Sequence, residues 1–122
     1  MLFDIKFDRV CTDKDRGKKS HFEFINNSAL PEYCKIRSLL NMCFNEFDEK
    51  SQNDIRSRII KNKSEEKFYS TCFELLVAHI FRRLGCQLEE HPNISDTNKR
   101  PDFLVTLSDG EYFYLENMMI GA

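Results

Sequence analysis

The spacing of apolar residues divides the chain into a charged first half and a second half with stronger periodicity. Apolar residues recur every three or four positions from about residue 29 to 48, which predicts a helix with Ser28 as its N-cap. A shorter helix is predicted from about residue 52 to 61, with Ser51 as its cap. Both helices belong to the first half.

Two features are predicted before these helices. Phe3, Ile5 and Phe7 alternate with polar neighbours, as the residues of a short strand do. Residues 11–20 are rich in charge and predict a loop.

The most regular pattern of the chain starts after Ser64, which is a suitable N-cap, and stops at Gly85. It predicts one long helix. Its apolar positions are Phe68, Cys72, Phe73, Leu76, Val77, Ile80, Phe81 and Leu84.

Three strands are predicted after this helix, over residues 86–91, 100–107 and 111–118. The order of elements predicts an α+β fold. A helical N-terminal region, residues 1–63, precedes a helix-strand-strand-strand core, residues 64–122. A chain of 122 residues has the size of one compact domain.

Composition bears on nucleic-acid binding, on disulfide formation and on membrane insertion. With 18 basic and 20 acidic residues the formal charge is −2, so contacts with DNA or RNA have to be local. Five widely spaced cysteines without zinc-site spacing predict free, mostly buried thiols in a cytoplasmic protein. The chain has no signal-peptide pattern and no apolar run of about 20 residues, so a membrane segment is not predicted.

Asp102 and Glu116 are the strongest candidates for chemistry, and their relation depends on the turn between their strands. A three-residue turn at 108–110, with Gly110 in the left-handed conformation, pairs Leu107 with Glu111 and sets Asp102 opposite Glu116. A two-residue Asp-Gly turn would pair Asp102 with residue 117 instead. We favour the three-residue turn.

Glu74 is a third candidate, because it interrupts the apolar run of the long helix. A carboxylate among such neighbours needs a partner or a cation. It could also pair with Arg82 or Arg83, and Glu116 could be a solvated edge-strand residue.

The segments Arg100-Pro101-Asp102 and Tyr114-Leu115-Glu116, with Glu74 upstream, resemble the signature of the PD-(D/E)XK (restriction-endonuclease-like) nuclease superfamily. The resemblance covers residues 64–118. It implies Mg²⁺ or Mn²⁺ bound directly by Asp102 and Glu116, with the backbone carbonyl of Asn117 as a further ligand. Glu74 would contribute directly or through water.

The chain departs from this superfamily at two places. Met118 stands at the position of the motif lysine, and Lys99 or Arg100 could replace it or contact phosphate. The further helix and strand of the superfamily do not follow, which predicts a shortened variant. An exposed C-terminal strand would then be covered by a protein partner or by self-association.

These features give three hypotheses. The first is a metal-dependent, endonuclease-like enzyme acting on DNA or RNA, with weak or lost activity. The second is a catalytically inactive binding or regulatory protein of the same fold. The third is a helical module that docks on another chain, although an internal core stripe is the interpretation that we favour. Its docking face would comprise Ile36, Leu39, Leu40 and Phe44.

Overall fold

The computed structural model describes residues 1–4, 8–61, 65–94 and 100–116. Across these residues, four helices precede a three-stranded sheet, so the predicted α+β class is confirmed. The helices are α1 (His21–Asn27), α2 (Pro31–Asn45), α3 (Glu49–Ile60) and α4 (Glu65–Arg83). The strands are β1 (Gln87–Glu90), β2 (Phe103–Thr106) and β3 (Tyr112–Leu115).

The chain forms two compact units, Met1–Cys72 and Phe73–Ala122. Their boundary falls inside α4. The sequence analysis placed its division between residues 63 and 64, just before the same helix. Residues 5–7 of the predicted first strand and Ser64, the predicted cap of α4, lie outside the described residues.

Ser28 does not cap α2, and the first predicted helix was too long at both ends. Ser28 ends α1, a helix that the sequence analysis missed, and α2 begins only at Pro31 with Leu30 as its N-cap. The Ser28 hydroxyl accepts a hydrogen bond from the Leu30 backbone N–H at 3.2 Å. Its capping ability therefore serves the turn between α1 and α2.

The N-cap of α3 is Asp48, and the prediction of Ser51 was wrong. The Asp48 carboxylate accepts a hydrogen bond from the Ser51 backbone N–H at 2.8 Å. This bond lowers the pKa of Asp48, because it stabilises the charged form. An acidic cap also suits the positive end of the helix dipole, so α3 starts earlier than predicted, at Glu49.

The first unit buries polar side chains among its apolar core residues. Arg37 donates hydrogen bonds to the backbone carbonyls of Ile25 and Ser28, each at 2.7 Å. The Asn41 amide accepts from the Phe3 backbone N–H at 2.7 Å and donates to the Phe3 carbonyl at 3.0 Å. These bonds tie α2 to α1 and to the N-terminal segment, and they satisfy backbone groups that burial would otherwise leave without water.

The four-residue docking face on α2 is not a continuous surface. Leu40 and Phe44 are buried, whereas Ile36 and Leu39 are exposed. The internal core interpretation therefore holds for Leu40 and Phe44. A docking face that includes them is excluded, because their side chains have no accessible area to offer.

Helix α4 ends as predicted. Gly85 has a φ of 86°, a left-handed conformation that glycine adopts without a steric penalty. The Gly85 N–H donates to the Arg82 carbonyl and the Cys86 N–H donates to the Phe81 carbonyl, both at 3.0 Å. These two hydrogen bonds end the helix, and the chain then turns into β1.

The three strands form an antiparallel sheet in the order β1-β2-β3. Phe103 and Val105 of β2 are buried on one face. On that face Phe81 of α4 contacts Phe113 of β3, with ring centroids 5.8 Å apart. All three strands are shorter than predicted within the described residues. Residues 117 and 118 of the third predicted strand lie outside them.

All five cysteines are free, as predicted, but only Cys43 is fully buried and Cys34 is exposed. Burial raises the pKa of the Cys72 thiol to about 12. Among the described residues, none of the helices combines the length and the apolar character that a membrane crossing requires.

We expect Arg37→Met to lower the free energy of unfolding by about 3 kcal/mol, because two buried carbonyls lose a charged donor. Lys35→Met is the matched control, since Lys35 is exposed on the same helix. Urea unfolding followed by circular dichroism measures both. Equal stability of the two variants would contradict the structural role of Arg37.

Candidate metal site

The turn at 108–110 has the three-residue form that the sequence predicted. The Leu107 N–H donates to the Glu111 carbonyl at 2.7 Å, and Gly110 has a φ of 92°. The Asp109 carboxylate accepts from the Glu111 N–H at 2.9 Å and holds the turn closed. The register of β2 against β3 follows from this pairing, with Phe103 opposite Leu115.

Asp102 falls opposite Glu116 when this register continues by one residue beyond Phe103 and Leu115. The backbone carbonyl of Asp102 accepts a hydrogen bond from the His91 N–H at 3.0 Å, so this carbonyl faces β1 and not β3. Since hydrogen-bonded and non-hydrogen-bonded pairs alternate along an antiparallel ladder, Asp102 and Glu116 occupy a non-hydrogen-bonded position. Cα atoms at such positions are about 4.5 Å apart, the closer of the two spacings.

Strand alternation, continued by one residue beyond β2 and β3, would place the two carboxylates on the face opposite to Phe103 and Val105. Asp102 is half-buried behind the buried Pro101, and Glu116 is exposed. Two negative charges at this spacing repel, and a divalent cation between them removes the repulsion. Their oxygens are hard donors of the kind that Mg²⁺ and Mn²⁺ prefer.

Glu74 is buried, with 7% of its surface exposed. Its helix contacts the sheet through Phe81 and Phe113, on the face opposite to that assigned to Asp102 and Glu116. The oxygen atoms of the three carboxylates do not all lie within 4.8 Å of one another. The three carboxylates therefore do not form one cluster, and the metal roles of Asp102, Glu116 and Glu74 stay predictions.

Of the remaining predicted site residues, the structure describes Arg100 but not Lys99 or Asn117. Arg100 is exposed and lies two positions before Asp102. Lys99 and Asn117, as well as Met118, lie outside the described residues. The proposed roles of Lys99 in catalysis and of Asn117 in metal binding stay predictions.

The site has two aromatic neighbours that the sequence analysis did not single out. Tyr112 and Tyr114 are 64% and 47% exposed, and their ring centroids are 6.1 Å apart. Strand alternation places them on the face of Glu116. The alternation in Tyr112-Phe113-Tyr114 was the signal, because it directs the two tyrosines to one face of the sheet and Phe113 to the other.

Two arginines of α3 have partners within the protein. Arg56 donates to the Met1 carbonyl at 2.9 Å and lies over the Phe44 ring at 5.2 Å from its centroid. Arg58 pairs with Asp54 at 3.1 Å. Phosphate binding depends on cations without such internal partners, so Arg56 and Arg58 are poor candidates for contacts with nucleic acid.

The chain matches no family model, no curated protein and no solved structure.

We expect Gly110→Ala to destabilise the protein by about 1 kcal/mol, since an alanine at a left-handed φ is strained even though space is available for its Cβ. Gly110→Asn should be affected less, because asparagine tolerates this conformation. Thermal unfolding of the three proteins measures the order. An asparagine variant no more stable than the alanine variant would be inconsistent with a conformational role for Gly110.

Proposed function

We propose that the chain is a metal-dependent, nuclease-like protein that acts weakly, or no longer acts, on nucleic-acid phosphodiesters. The observation that supports this proposal is the register of β2 against β3, which would set Asp102 opposite Glu116 if it continued by one residue. The resemblance to the PD-(D/E)XK signature supports the same assignment, since both carboxylates stand at its ligand positions.

Asp102 and Glu116 would hold one Mg²⁺ or Mn²⁺ ion between them. When bound, such an ion lowers the pKa of water and stabilises negative charge on a phosphate. In hydrolysis a hydroxide attacks phosphorus, the bond from phosphorus to the leaving oxygen breaks, and that oxygen takes up a proton. The part of Asp102 and Glu116 is to fix the position of the ion next to the scissile phosphate.

The proposed site lacks the lysine that would stabilise the negative charge developing on the phosphate. Met118 carries a thioether where the superfamily has lysine, and a thioether neither donates a hydrogen bond nor carries charge. Arg100 is exposed near Asp102 and can contact a phosphate. We therefore expect the protein to bind the metal ion even if it does not cleave nucleic acid, and metal binding is the better test of the site.

We expect Mn²⁺ to bind weakly to the wild-type protein and at least about tenfold more weakly to Asp102→Asn and Glu116→Gln, because each variant loses a charged ligand. Glu111→Gln is the control, as it removes an exposed carboxylate from the other end of the same strand region. Calorimetric or electron paramagnetic resonance titration measures binding. Titrations that do not distinguish Asp102→Asn from Glu111→Gln would remove the metal site.

Cleavage assays on single- and double-stranded DNA and RNA complete this test. We expect little or no turnover in Mg²⁺ or Mn²⁺. Turnover that Asp102→Asn abolishes would make the protein an active enzyme and overturn the expectation of weak activity.

A catalytically inactive nucleic-acid-binding protein is the second candidate, and the exposed pair of Tyr112 and Tyr114 favours it. Aromatic rings on an open sheet face can stack with unpaired bases without reading their sequence. The pair continues from Glu116 along β3, so bases on the tyrosines would place the backbone near the carboxylates. This function needs neither the lysine nor turnover.

We expect the double variant Tyr112→Leu/Tyr114→Leu to bind single-stranded oligonucleotides at least about 30-fold more weakly than the wild type, because two stacking surfaces are lost. Tyr112→Phe/Tyr114→Phe is the matched control, since it keeps both rings. Fluorescence anisotropy with a labelled oligonucleotide measures the affinities. Equal binding by the leucine and phenylalanine pairs would exclude base stacking.

A further inference from the structure

Helix α4 is apolar on two sides, although a helix at the surface of a protein needs only one such side. One side is buried and includes Phe68, Leu75 and Ala78. The other side is exposed in large part, although the Tyr69 ring near its start also contacts the His21 ring, with centroids 4.8 Å apart. Its large apolar residues are Tyr69, Phe73, Ile80 and Leu84, with exposed fractions of 42%, 50%, 54% and 71%.

The open side has the spacing of a helix-pairing surface. Tyr69, Phe73, the half-buried Leu76 and Ile80 follow one another at intervals of four, three and four residues. This alternation is the pattern by which one helix packs along another in a coiled coil. We call these four residues the α4 seam. Its spacing indicates a second helix as the occupant, because a flat or irregular partner imposes no such repeat.

The charges at the ends of the seam identify which helix fits. The first turn of α4 contains Glu65 and Glu66, and its last turn contains Arg82 and Arg83. The heptad positions of the seam continue to Glu66 at one end and to Arg83 at the other, and both side chains are exposed. The seam is thus flanked by an acid at its start and a base at its end.

A second copy of α4 in antiparallel orientation matches both the apolar spacing of the seam and the charges at its ends. In the register that pairs Phe73 with Leu76 of the second copy, Ile80 meets Tyr69 of that copy. The same register sets Glu66 against Arg83 of the second copy, and two-fold symmetry repeats the pair at the other end. A parallel arrangement would instead put Glu66 beside Glu66, where the charges repel.

We propose that the α4 seam is the dimer interface of this protein, with two copies of α4 packed antiparallel and two Glu66–Arg83 pairs at the ends. The contact excludes water from exposed aromatic and aliphatic side chains, and this burial supplies most of its stability. The end charges fix direction and register, since exposed ion pairs add little affinity. This interface does not involve Asp102 or Glu116 and does not depend on the proposed function.

Analytical ultracentrifugation of the full chain over a range of concentrations tests the interface. We expect the wild-type mass to rise from the monomer value of 14.5 kDa towards twice that value. Ile80→Glu should stay monomeric at every concentration, because a charge in the seam cannot be buried without a partner. Val10→Glu, which changes the 89% exposed Val10, is the control and should dimerise as the wild type does.

A charge exchange tests the antiparallel register itself. Arg83→Glu should weaken dimerisation at least about threefold, since it sets two pairs of acids face to face. Glu66→Arg/Arg83→Glu should restore it, because the exchange recreates both pairs with their signs reversed. Circular dichroism confirms that each variant is folded, so that loss of the dimer is not loss of the helix.

Three results would overturn the proposal. They are a folded wild-type chain that stays monomeric at all concentrations, a dimer that Ile80→Glu leaves intact, and a double charge variant no better than Arg83→Glu alone. The first would assign the seam to a different partner or to none. The second would move the interface elsewhere, for example to β3, and the third would exclude this register.

Discussion

The hydrogen bond between Leu107 and Glu111 is the contact on which the candidate site depends. It closes the three-residue turn and sets the register of β2 against β3. Because side chains alternate along a strand, a slip of one residue would place Asp102 and the residue opposite it on different faces. The left-handed Gly110 makes this turn possible, so a residue without a side chain fixes the register of the two strands.

The first unit is organised by a different kind of constraint, the need to satisfy buried backbone groups. Arg37 supplies donors to two carbonyls at the end of α1, and burial together with the nearby charge of Arg9 lowers its pKa. Arg9 in turn donates to the Asn26 carbonyl at 2.5 Å. Two arginines therefore act as caps for a seven-residue helix that has little stability of its own.

Metal binding and charge stabilisation are separable properties, and the proposed function depends on this difference. Asp102 and Glu116 would need only the sheet register to come together. The support of a developing charge needs a cation at a defined place, and residue 118 does not supply one. Under the proposed function, the exposed Tyr112 and Tyr114 would add a binding surface that works without catalysis. A nuclease-like protein that binds more readily than it cleaves is consistent with all three features.

The sequence by itself determined the long helix α4, its stop at Gly85 and the turn at 108–110, because each depends on residues close together along the chain. It misplaced the caps of α2 and α3, since Ser28 and Ser51 each compete with neighbours whose geometry is set by the folded backbone. The class of the fold and the register of β2 against β3 were accessible for the same local reason.

Only the tertiary structure decided which apolar residues are buried. The pattern predicted for α4 includes Phe73 and omits Leu75, yet Phe73 is half exposed and Leu75 is buried. The position of Glu74 relative to the carboxylate pair was also beyond the sequence, because it depends on which sheet face α4 packs against. Hydrophobic spacing identifies the sides of a helix, but burial of each side depends on what packs there, and no local pattern encodes that choice.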